Sequence, residues 1–240
     1  MNLWTDPAPA PPRLDCVRYV SSFEELLQAP FSGKVNAVCW RRRLEGDFDA
    51  VQAALGEIDE ITSLEDEDLL GLELGPAGTR ARDQLLLDLR RLREAGLEPS
   101  LDCIPAYPKS SAGAWVPVDV YDFHADSATV PTDTFLCGYT VAASEGIGNE
   151  EAVRYIDLPE IRAGLLRDYG GADDATFAAH LKEQFYDLHY QMREGASVYS
   201  FGLGNMWRIA TLCPDSPVPP CIHRAPTTPE GSAPRLLLIS

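Results

Sequence analysis

The stretch Asp122-Phe123-His124-Ala125-Asp126 combines an imidazole with carboxylates at a spacing that could bind a metal ion. On an extended strand, residues i and i+2 point to the same face, so His124 and Asp126 can converge on one point. A second histidine from a distant strand would complete a set of two histidines and one carboxylate, which suits non-haem iron(II). Taken alone, a His-x-Asp pair is more often a surface or core pair than a pair of metal ligands.

The C-terminal part of the chain supplies a candidate for that second histidine. His223 lies in the segment Cys-Ile-His-Arg-Ala-Pro that begins at Cys221, and Arg235 opens the apolar run Arg-Leu-Leu-Leu-Ile. A turn-rich stretch separates the two segments, and both read as short buried strands. The chain therefore presents, in order, a His-x-Asp pair, a distant histidine and an arginine on the following strand.

This order and spacing resemble those of the iron(II)/2-oxoglutarate oxygenases. The motifs Phe-His-Ala-Asp-Ser, His-Arg-Ala-Pro and Arg-Leu-Leu-Leu, with Val-Cys-Trp-Arg-Arg upstream, further resemble an uncharacterised bacterial group within that superfamily. The resemblance implies that His124, Asp126 and His223 bind Fe(II). It also implies that Arg235 pairs with the distal carboxylate of 2-oxoglutarate, a task that suits the bidentate guanidinium group. The fold that it implies is a double-stranded β-helix of the jelly-roll or cupin type.

Other residues near these motifs are candidates for the same site. Strict alternation places Asp122 on the face of His124 and Asp126, and the family pattern favours Asp126 as the ligand. Tyr139 or Thr140, on the next predicted strand, could donate a hydroxyl group to 2-oxoglutarate. Side chains that could line a substrate pocket, each with a core or turn role as the alternative, are Tyr121, Asn205 and Trp207.

A second group of potential metal ligands contains one histidine and two carboxylates. His180, Glu183 and Asp187 can share one face of a predicted helix. A single helix rarely supplies a complete metal site, and paired Glu-x-x-His motifs on two helices are absent from the sequence. We therefore expect no metal there, and we expect His189 to be a packed residue of the same helix.

Composition limits the classes of partner. The 240 residues carry a formal net charge of −17, which argues against nucleic acid and acidic membranes because phosphate binding needs clustered Lys and Arg. No apolar run approaches membrane-spanning length, and the six scattered cysteines lack a Cys-x-x-Cys spacing. We expect a cytoplasmic protein with reduced thiols, and a solvated surface for the acidic run at Glu65 to Asp68.

Periodicity and turn residues predict an α+β protein with a mainly β core. The proline-rich residues 1–13 are expected to be a disordered tail, and 14–240 a single domain. That domain would comprise an α/β flank over 14–99 and a β-helix core over 100–240, with a helical insertion at 158–194 that suits a lid or a homodimer face. Helices are predicted at 22–27, 48–58, 76–95, 158–168 and 175–194. Strands are predicted at 16–20, 34–40, 101–104, 115–124, 134–142, 153–156 and 197–201, followed by the two C-terminal segments.

The function expected from these residues is oxidation of a small molecule that consumes Fe(II)-bound 2-oxoglutarate and O2 and yields succinate and CO2. Within the resembled superfamily, halogenases lose the carboxylate ligand, so Asp126 favours hydroxylation or a related oxidation. Two alternatives stay open. A cupin-like metal-dependent dioxygenase or isomerase would use the histidines without 2-oxoglutarate, and a non-catalytic binding module would keep the same β scaffold.

Overall fold

The structure is a computed structural model that describes residues 14–229 and 231–240. The expected tail at 1–13 lies outside the described residues. The chain has an α+β fold with a mainly β core, as the sequence predicts.

The six α-helices of the described part are α1 Phe23–Gln28, α2 Phe48–Ala54, α3 Asp66–Leu70, α4 Pro76–Glu94, α5 Pro159–Tyr169 and α6 Ala175–Glu183. The strands are β1 Val17–Val20, β2 Ala37–Trp40, β3 Thr62–Leu64, β4 Ser100–Ile104, β5 Asp133–Gly138, β6 Glu145–Ile147, β7 Ala152–Arg154, β8 Tyr190–Met192, β9 Tyr199–Ser200, β10 Met206–Ala210, β11 Ile222–Arg224 and β12 Arg235–Ile239.

A seven-stranded mixed sheet forms the centre of the molecule. Its strand order is β1-β2-β10-β5-β12-β4-β3, and the pairing is antiparallel except between β1 and β2. Successive side chains of a strand point to opposite faces, so β12 contributes to two cores. Leu236 and Leu238 pack on the face that carries the N-terminal helices, and Leu237 packs on the other.

Helix α4 covers the first face of this sheet. Pro76 stands in its first turn, where a missing N–H costs nothing, and Gly96 follows its end with a positive φ of 82°. Leu85, Leu89 and Leu92 form an apolar stripe that is buried against the sheet, and Leu86 is partly buried beside it. Burial of this stripe holds the helix in place, because a helix of this length draws most of its stability from tertiary packing.

A smaller sheet, β11-β6-β9, packs over the other face of the large sheet. His124 extends this small sheet through isolated bridges to His223 and to His189. The space between the two sheets is filled mainly by aromatic and aliphatic side chains, including Tyr199, Phe201 and Trp207. The proposed metal ligands therefore belong to the small sheet and its extension.

Helices α5 and α6 form a separate layer with their own apolar cluster, in which Phe177 and Leu181 are buried. Gly164 of α5 lies against the ring of Trp115, and any Cβ at Gly164 would come within 2.5 Å of that ring. The insertion is thus packed onto the loop before the metal-ligand segment. A two-stranded sheet flanks these helices, with β7 before α5 and β8 after α6.

Several predicted elements differ from the structure. The helix predicted at 48–58 ends at Ala54, and the strand predicted at 134–142 ends at Gly138. Residues 115–124 do not form a strand, because turn-forming side chains bind the local backbone: the Asp119 carboxylate accepts hydrogen bonds from the Ser110 and Tyr121 amides at 2.7 and 2.9 Å. The predicted helix at 175–194 ends at Glu183, where Phe185 adopts a left-handed backbone with φ of 61°. The chain then continues through the 3-10 helix Tyr186–Leu188 into β8.

The acidic run is largely exposed to solvent, as the sequence predicts, and it forms the start of the short helix α3. The Asp68 carboxylate accepts the Glu65 amide at 2.9 Å, which satisfies one of the free N–H groups at the start of α3. In the part of the chain that the structure describes, no helix combines the length and apolar character needed to cross a bilayer.

Candidate metal centre

His124, Asp126 and His223 come together in the structure. Each offers one ligand atom, and the three atoms lie within 4.8 Å of one another. The Oδ1 atom of Asp126 is 4.0 Å from Nε2 of His124 and 3.8 Å from Nε2 of His223. Metal–ligand distances of about 2.0–2.2 Å would require only a modest closing of this triangle.

Main-chain pairing accounts for the approach of the two histidines. The His124 amide donates to the His223 carbonyl at 2.9 Å, and the His223 amide donates back to His124 at 2.9 Å. Residues paired in this way across antiparallel backbones project their side chains to the same face. The ring centroids of the two histidines are consequently 4.6 Å apart.

Hydrogen bonds select the histidine tautomer that a metal requires. Nδ1 of His124 lies 2.8 Å from the Asp122 carbonyl, and Nδ1 of His223 lies 3.4 Å from the Cys221 carbonyl. A carbonyl oxygen can only accept, so each Nδ1 carries the proton and each Nε2 keeps its lone pair. In known metal sites, a hydrogen bond from the other ring nitrogen orients the histidine ligand in the same way.

A hydrogen bond also orients the carboxylate of Asp126. The Thr134 hydroxyl donates to Oδ2 of Asp126 at 2.7 Å, which leaves Oδ1 facing the two histidines. Thr134 lies on β5 and was not predicted as a site residue. Its own position is supported by Thr211, whose hydroxyl oxygen is 3.5 Å away.

The electrostatics of the site favour the protonation states that bind a cation. Burial, together with the neighbouring His223, lowers the pKa of His124 to about 4. Burial alone would raise the pKa of Asp126, but His223, the Thr134 hydroxyl and His124 together outweigh it, so this pKa is lowered. At neutral pH His124 is neutral and Asp126 is ionised, as metal coordination requires.

Asp122 does not join the triad, contrary to what strict alternation predicts. The segment is irregular at this point, and Asp122 contributes its main-chain carbonyl to His124. Burial raises the pKa of its carboxyl group, and Asp119 acts in the same direction. His124, Asp126 and His223 form the one group of three potential ligands found among the described residues, so His180, Glu183 and Asp187 do not come together as a second site.

His189 is placed differently from the prediction. It lies outside any helix and forms a β-bridge with His124, and their ring centroids are 5.7 Å apart. The Ala125 amide donates to the Leu188 carbonyl at 3.0 Å and fixes this neighbour beside the metal ligands. The sequence offers no signal for this contact, because a helical pattern continues across the residue.

Arg235 is buried at the start of β12 and is only 5% exposed. By alternation it shares the face of Leu237, towards the space between the two sheets. Its Nε donates to the Ala142 carbonyl at 3.1 Å, while Nη2 has no hydrogen-bond partner among the described residues. Burial lowers the pKa of Arg235, and the adjacent Tyr107 and Tyr121 oppose this effect. A buried cation with an unused donor is costly unless an anion binds it.

The structure does not bring Tyr139 or Thr140 to the metal site. The Tyr139 hydroxyl donates to Asp88 at 2.7 Å in the core on the helix-covered face of the sheet. The Thr140 hydroxyl accepts the Leu236 amide at 2.8 Å and is thereby engaged with the backbone of β12. Contrary to expectation, neither hydroxyl group is therefore placed to donate to 2-oxoglutarate. Tyr107, which was not predicted as a site residue, is a direct neighbour of Arg235.

The three predicted pocket residues occupy different surroundings. Tyr121 accepts the Tyr107 amide at 2.9 Å and lies beside Arg235. Asn205 donates to the Phe201 carbonyl at 2.9 Å, as a turn residue does. Trp207 donates to the same carbonyl at 2.7 Å and stacks on the Phe201 ring at 4.2 Å, so it packs in the core between the sheets.

A cavity of about 560 Å³ opens beside the triad. Its lining includes His124, Asp126 and Thr134 together with His189, and Phe185 contributes from the turn after α6. Arg235 is not among the residues that line this cavity. The volume falls within the range of about 300–1,000 Å³ that is usual for small-molecule sites.

Comparisons with known proteins found no matching family model, no matching curated protein and no matching solved structure. The interpretation of the triad as a metal site therefore rests on the geometry of the triad itself.

Proposed function

We propose that this protein is a non-haem iron(II)- and 2-oxoglutarate-dependent oxygenase that hydroxylates or otherwise oxidises a small molecule. The observation that carries the proposal is the convergence of His124, Asp126 and His223, which are far apart in the sequence, with both imidazoles held in the ligand tautomer. Two histidines and one carboxylate are typical of iron(II) sites that keep positions open for other ligands.

The strand order supports a double-stranded β-helix for the core. From β4 onward the chain passes back and forth between two sheets, with β4, β5, β10 and β12 in the large sheet and β6, β9 and β11 in the small one. Strands β6 and β9 follow one another in the small sheet, and the separate β7–β8 sheet lies between them in the chain. The His124 segment follows β4 and pairs with β11, so each sheet receives four segments. Two facing four-stranded sheets connected in this way are what a jelly roll requires.

Each residue of the centre has a defined task in this proposal. His124 and His223 provide Nε2 atoms, and Asp126 provides Oδ1. Thr134 and the carbonyls of Asp122 and Cys221 keep those atoms oriented. When bound, iron(II) together with 2-oxoglutarate and O2 supplies the oxidising power, with succinate and CO2 as co-products. Asp126, as the carboxylate ligand, supports hydroxylation or a related oxidation.

Arg235 is the proposed partner of the distal carboxylate of 2-oxoglutarate. Its unused Nη2 donor and its burial support an anionic ligand, because a carboxylate would both neutralise the guanidinium group and accept its hydrogen bond. Tyr107 and Tyr121, which adjoin Arg235, replace Tyr139 and Thr140 as the hydroxyl groups available there.

A second candidate function is a metal-dependent dioxygenase or isomerase that does not use 2-oxoglutarate. The observation that favours it is the position of Arg235 outside the lining of the cavity beside the triad. In such an enzyme the substrate itself would bind the metal from that cavity, and Arg235 would have a structural role.

An anaerobic titration separates the two candidates. Metal-free protein receives iron(II) and then 2-oxoglutarate, and the visible metal-to-ligand charge-transfer band is recorded. We expect a band in the wild type that weakens in Arg235→Ala and is unchanged in Arg80→Ala, an exposed arginine of α4. Iron binding without a band would favour the second candidate, and absence of stoichiometric metal binding would contradict both.

A further inference from the structure

The lining of the cavity beside the triad indicates which class of molecule it accepts, an inference that rests on the proposed function. Apolar side chains from three separate parts of the chain line it, among them Val118, Val120, Leu188 and Ile239. The described lining residues include no lysine and no arginine, and their one side-chain carboxylate is that of Asp126, a proposed metal ligand. Apart from the proposed metal at the triad, the described lining therefore offers an anion no cation.

Phe185 stands out within this lining. It is one of three residues other than glycine that have a positive φ in the described chain, and its side chain is 58% exposed. Left-handed backbone is unfavourable for a residue with a bulky side chain and persists where its surroundings enforce it. An exposed aromatic ring on strained backbone at the edge of a cavity points to a ligand contact, because packing does not explain it.

The backbone around Phe185 is held firmly. Its amide donates to Lys182 at 3.1 Å, and its carbonyl accepts the Leu188 amide at 3.2 Å. The Leu188 carbonyl in turn accepts the Ala125 amide, one residue from the proposed ligand Asp126. Since α6 is anchored behind this turn by its buried residues, the backbone of Phe185 has a fixed position at the rim.

We propose that the cavity binds an uncharged, largely apolar small molecule as substrate, and that Phe185 contacts this molecule and sets specificity. Thr134, Ser127 and Gln184 supply the few polar groups that such a pocket needs to orient its ligand. In the proposed function the metal positions are taken by the protein ligands, 2-oxoglutarate and O2, so an anionic substrate would find no cationic side chain in the described lining, and burying its charge would carry a large free-energy cost.

A surface groove elsewhere in the structure serves as the internal control. It has a volume of about 450 Å³, and its lining includes the ion pair of Arg224 with Glu145 and the exposed Leu203. It shares no lining residue with the cavity at the triad. A dye that binds apolar surfaces without selectivity would respond to both places.

The test uses two fluorescent probes with the same ring skeleton, neutral N-phenyl-1-naphthylamine and anionic 8-anilinonaphthalene-1-sulfonate, titrated into metal-free protein. We expect the neutral probe to bind at least about tenfold more tightly than the sulfonate. Phe185→Gly and Phe185→Asn should each weaken the neutral probe at least about fivefold, with an unchanged thermal midpoint because both residues tolerate left-handed backbone. Leu203→Ala should change neither property.

The proposal is overturned if the sulfonate binds as tightly as the neutral probe, or if both Phe185 variants keep the wild-type affinity. It is also overturned if the weakening follows Leu203→Ala, or if both Phe185 variants lose probe affinity and thermal stability together. Because no metal is added, these results are independent of the iron titration. Failure of the proposed function would appear only in that titration.

Discussion

At the scale of single residues, the site consists of few ligands and of the groups that orient them. The Thr134 hydroxyl fixes Asp126, and two main-chain carbonyls fix the imidazoles. These outer contacts determine the direction of each lone pair, so they influence metal affinity without touching the metal. Their contribution can be measured one residue at a time.

Thr134→Val removes the hydrogen bond to Asp126 and keeps the shape of the side chain. We expect the affinity for iron(II) to fall about 10- to 100-fold, since the carboxylate loses its orienting partner. Anaerobic calorimetric titration measures this directly. Thr62→Val, which changes a threonine of β3 bonded only to the nearby Glu60 carbonyl, is the matched control. Equal affinities in wild type and Thr134→Val would contradict the assigned role.

A buried ion pair on the other face of the sheet makes a second residue-scale prediction. Asp88 accepts two hydrogen bonds of 2.6 Å from Arg42 and one of 2.7 Å from Tyr139, and its side chain is fully buried. Asp88→Ala would leave the Arg42 cation buried without its partner, so we expect a loss of about 3–5 kcal/mol in the free energy of unfolding. Urea denaturation measures the loss, with exposed Asp83→Ala as the control that should change stability little. A loss in Asp88→Ala as small as in the control would contradict the prediction.

The sequence predicts the residues of the triad better than it predicts the residues that surround them. The spacing of His124, Asp126, His223 and Arg235 identifies residues that have a chemical reason to be near one another. Thr134 gives no such signal, because its role depends on the pairing of distant backbones. The expected contribution of Tyr139 failed for a related reason: a shift of one residue along a strand reverses the face, and Tyr139 falls on the helix-covered side.

At the scale of elements, the small sheet positions the proposed metal ligands His223 and, through a bridge, His124, and it depends on a close contact. Gly146 of β6 pairs with His223 on one side and with Tyr199 on the other. The phenol ring of Tyr199 covers this glycine, and a Cβ at Gly146 would lie 2.4 Å from the ring. The ring and a side chain cannot occupy that space together.

Gly146→Ala should therefore displace Tyr199 and lower the free energy of unfolding by about 1–3 kcal/mol. Because His223 pairs with this position, iron(II) affinity should fall in the same variant. Thermal denaturation and metal titration measure the two effects. Gly75→Ala is the control, since Gly75 has no atom within 4 Å of its virtual Cβ and has a negative φ of −69°. A Gly146→Ala protein as stable as this control would refute the packing argument.

Regular elements were predicted well where local signals agree with packing. Helix α4 matches its prediction closely because proline, glycine and a leucine stripe mark its start, end and buried face. The segment 115–124 has strand-like alternation, yet Pro117 and the aspartates at 119 and 122 favour turns, and the loop forms instead. Alternation alone cannot detect side chains that bind their own backbone.

At the scale of the whole molecule, the proposed metal would link parts of the chain that are distant in sequence. His124 and Asp126 follow β4, whereas His223 belongs to β11, the penultimate strand. A ligand that binds only the folded state stabilises it in proportion to the logarithm of its concentration. Metal binding should thus be visible as a change in global stability.

Iron(II) or zinc(II) at about 100 times its dissociation constant should add about 2.7 kcal/mol, which corresponds to a rise of about 5–10 °C in the thermal midpoint for a chain of this length. Asp126→Ala should abolish the rise, and Asp122→Ala should retain it, since Asp122 does not belong to the triad. Differential scanning calorimetry under anaerobic conditions makes the comparison. An equal loss in both variants would contradict the assignment of ligands.

The reciprocal backbone pairing of His124 with His223 also has a practical consequence. Because hydrogen bonds between main-chain atoms place the imidazoles before any ion arrives, their nitrogen atoms are available to any divalent ion that accepts such donors. Nickel, copper and zinc generally bind nitrogen and oxygen donors more tightly than ferrous iron does. The ion found in protein purified on a nickel resin would therefore reflect the resin and the growth medium. Recovery in the presence of a chelator, followed by reloading with iron(II) without oxygen, is the appropriate preparation for testing the proposed activity.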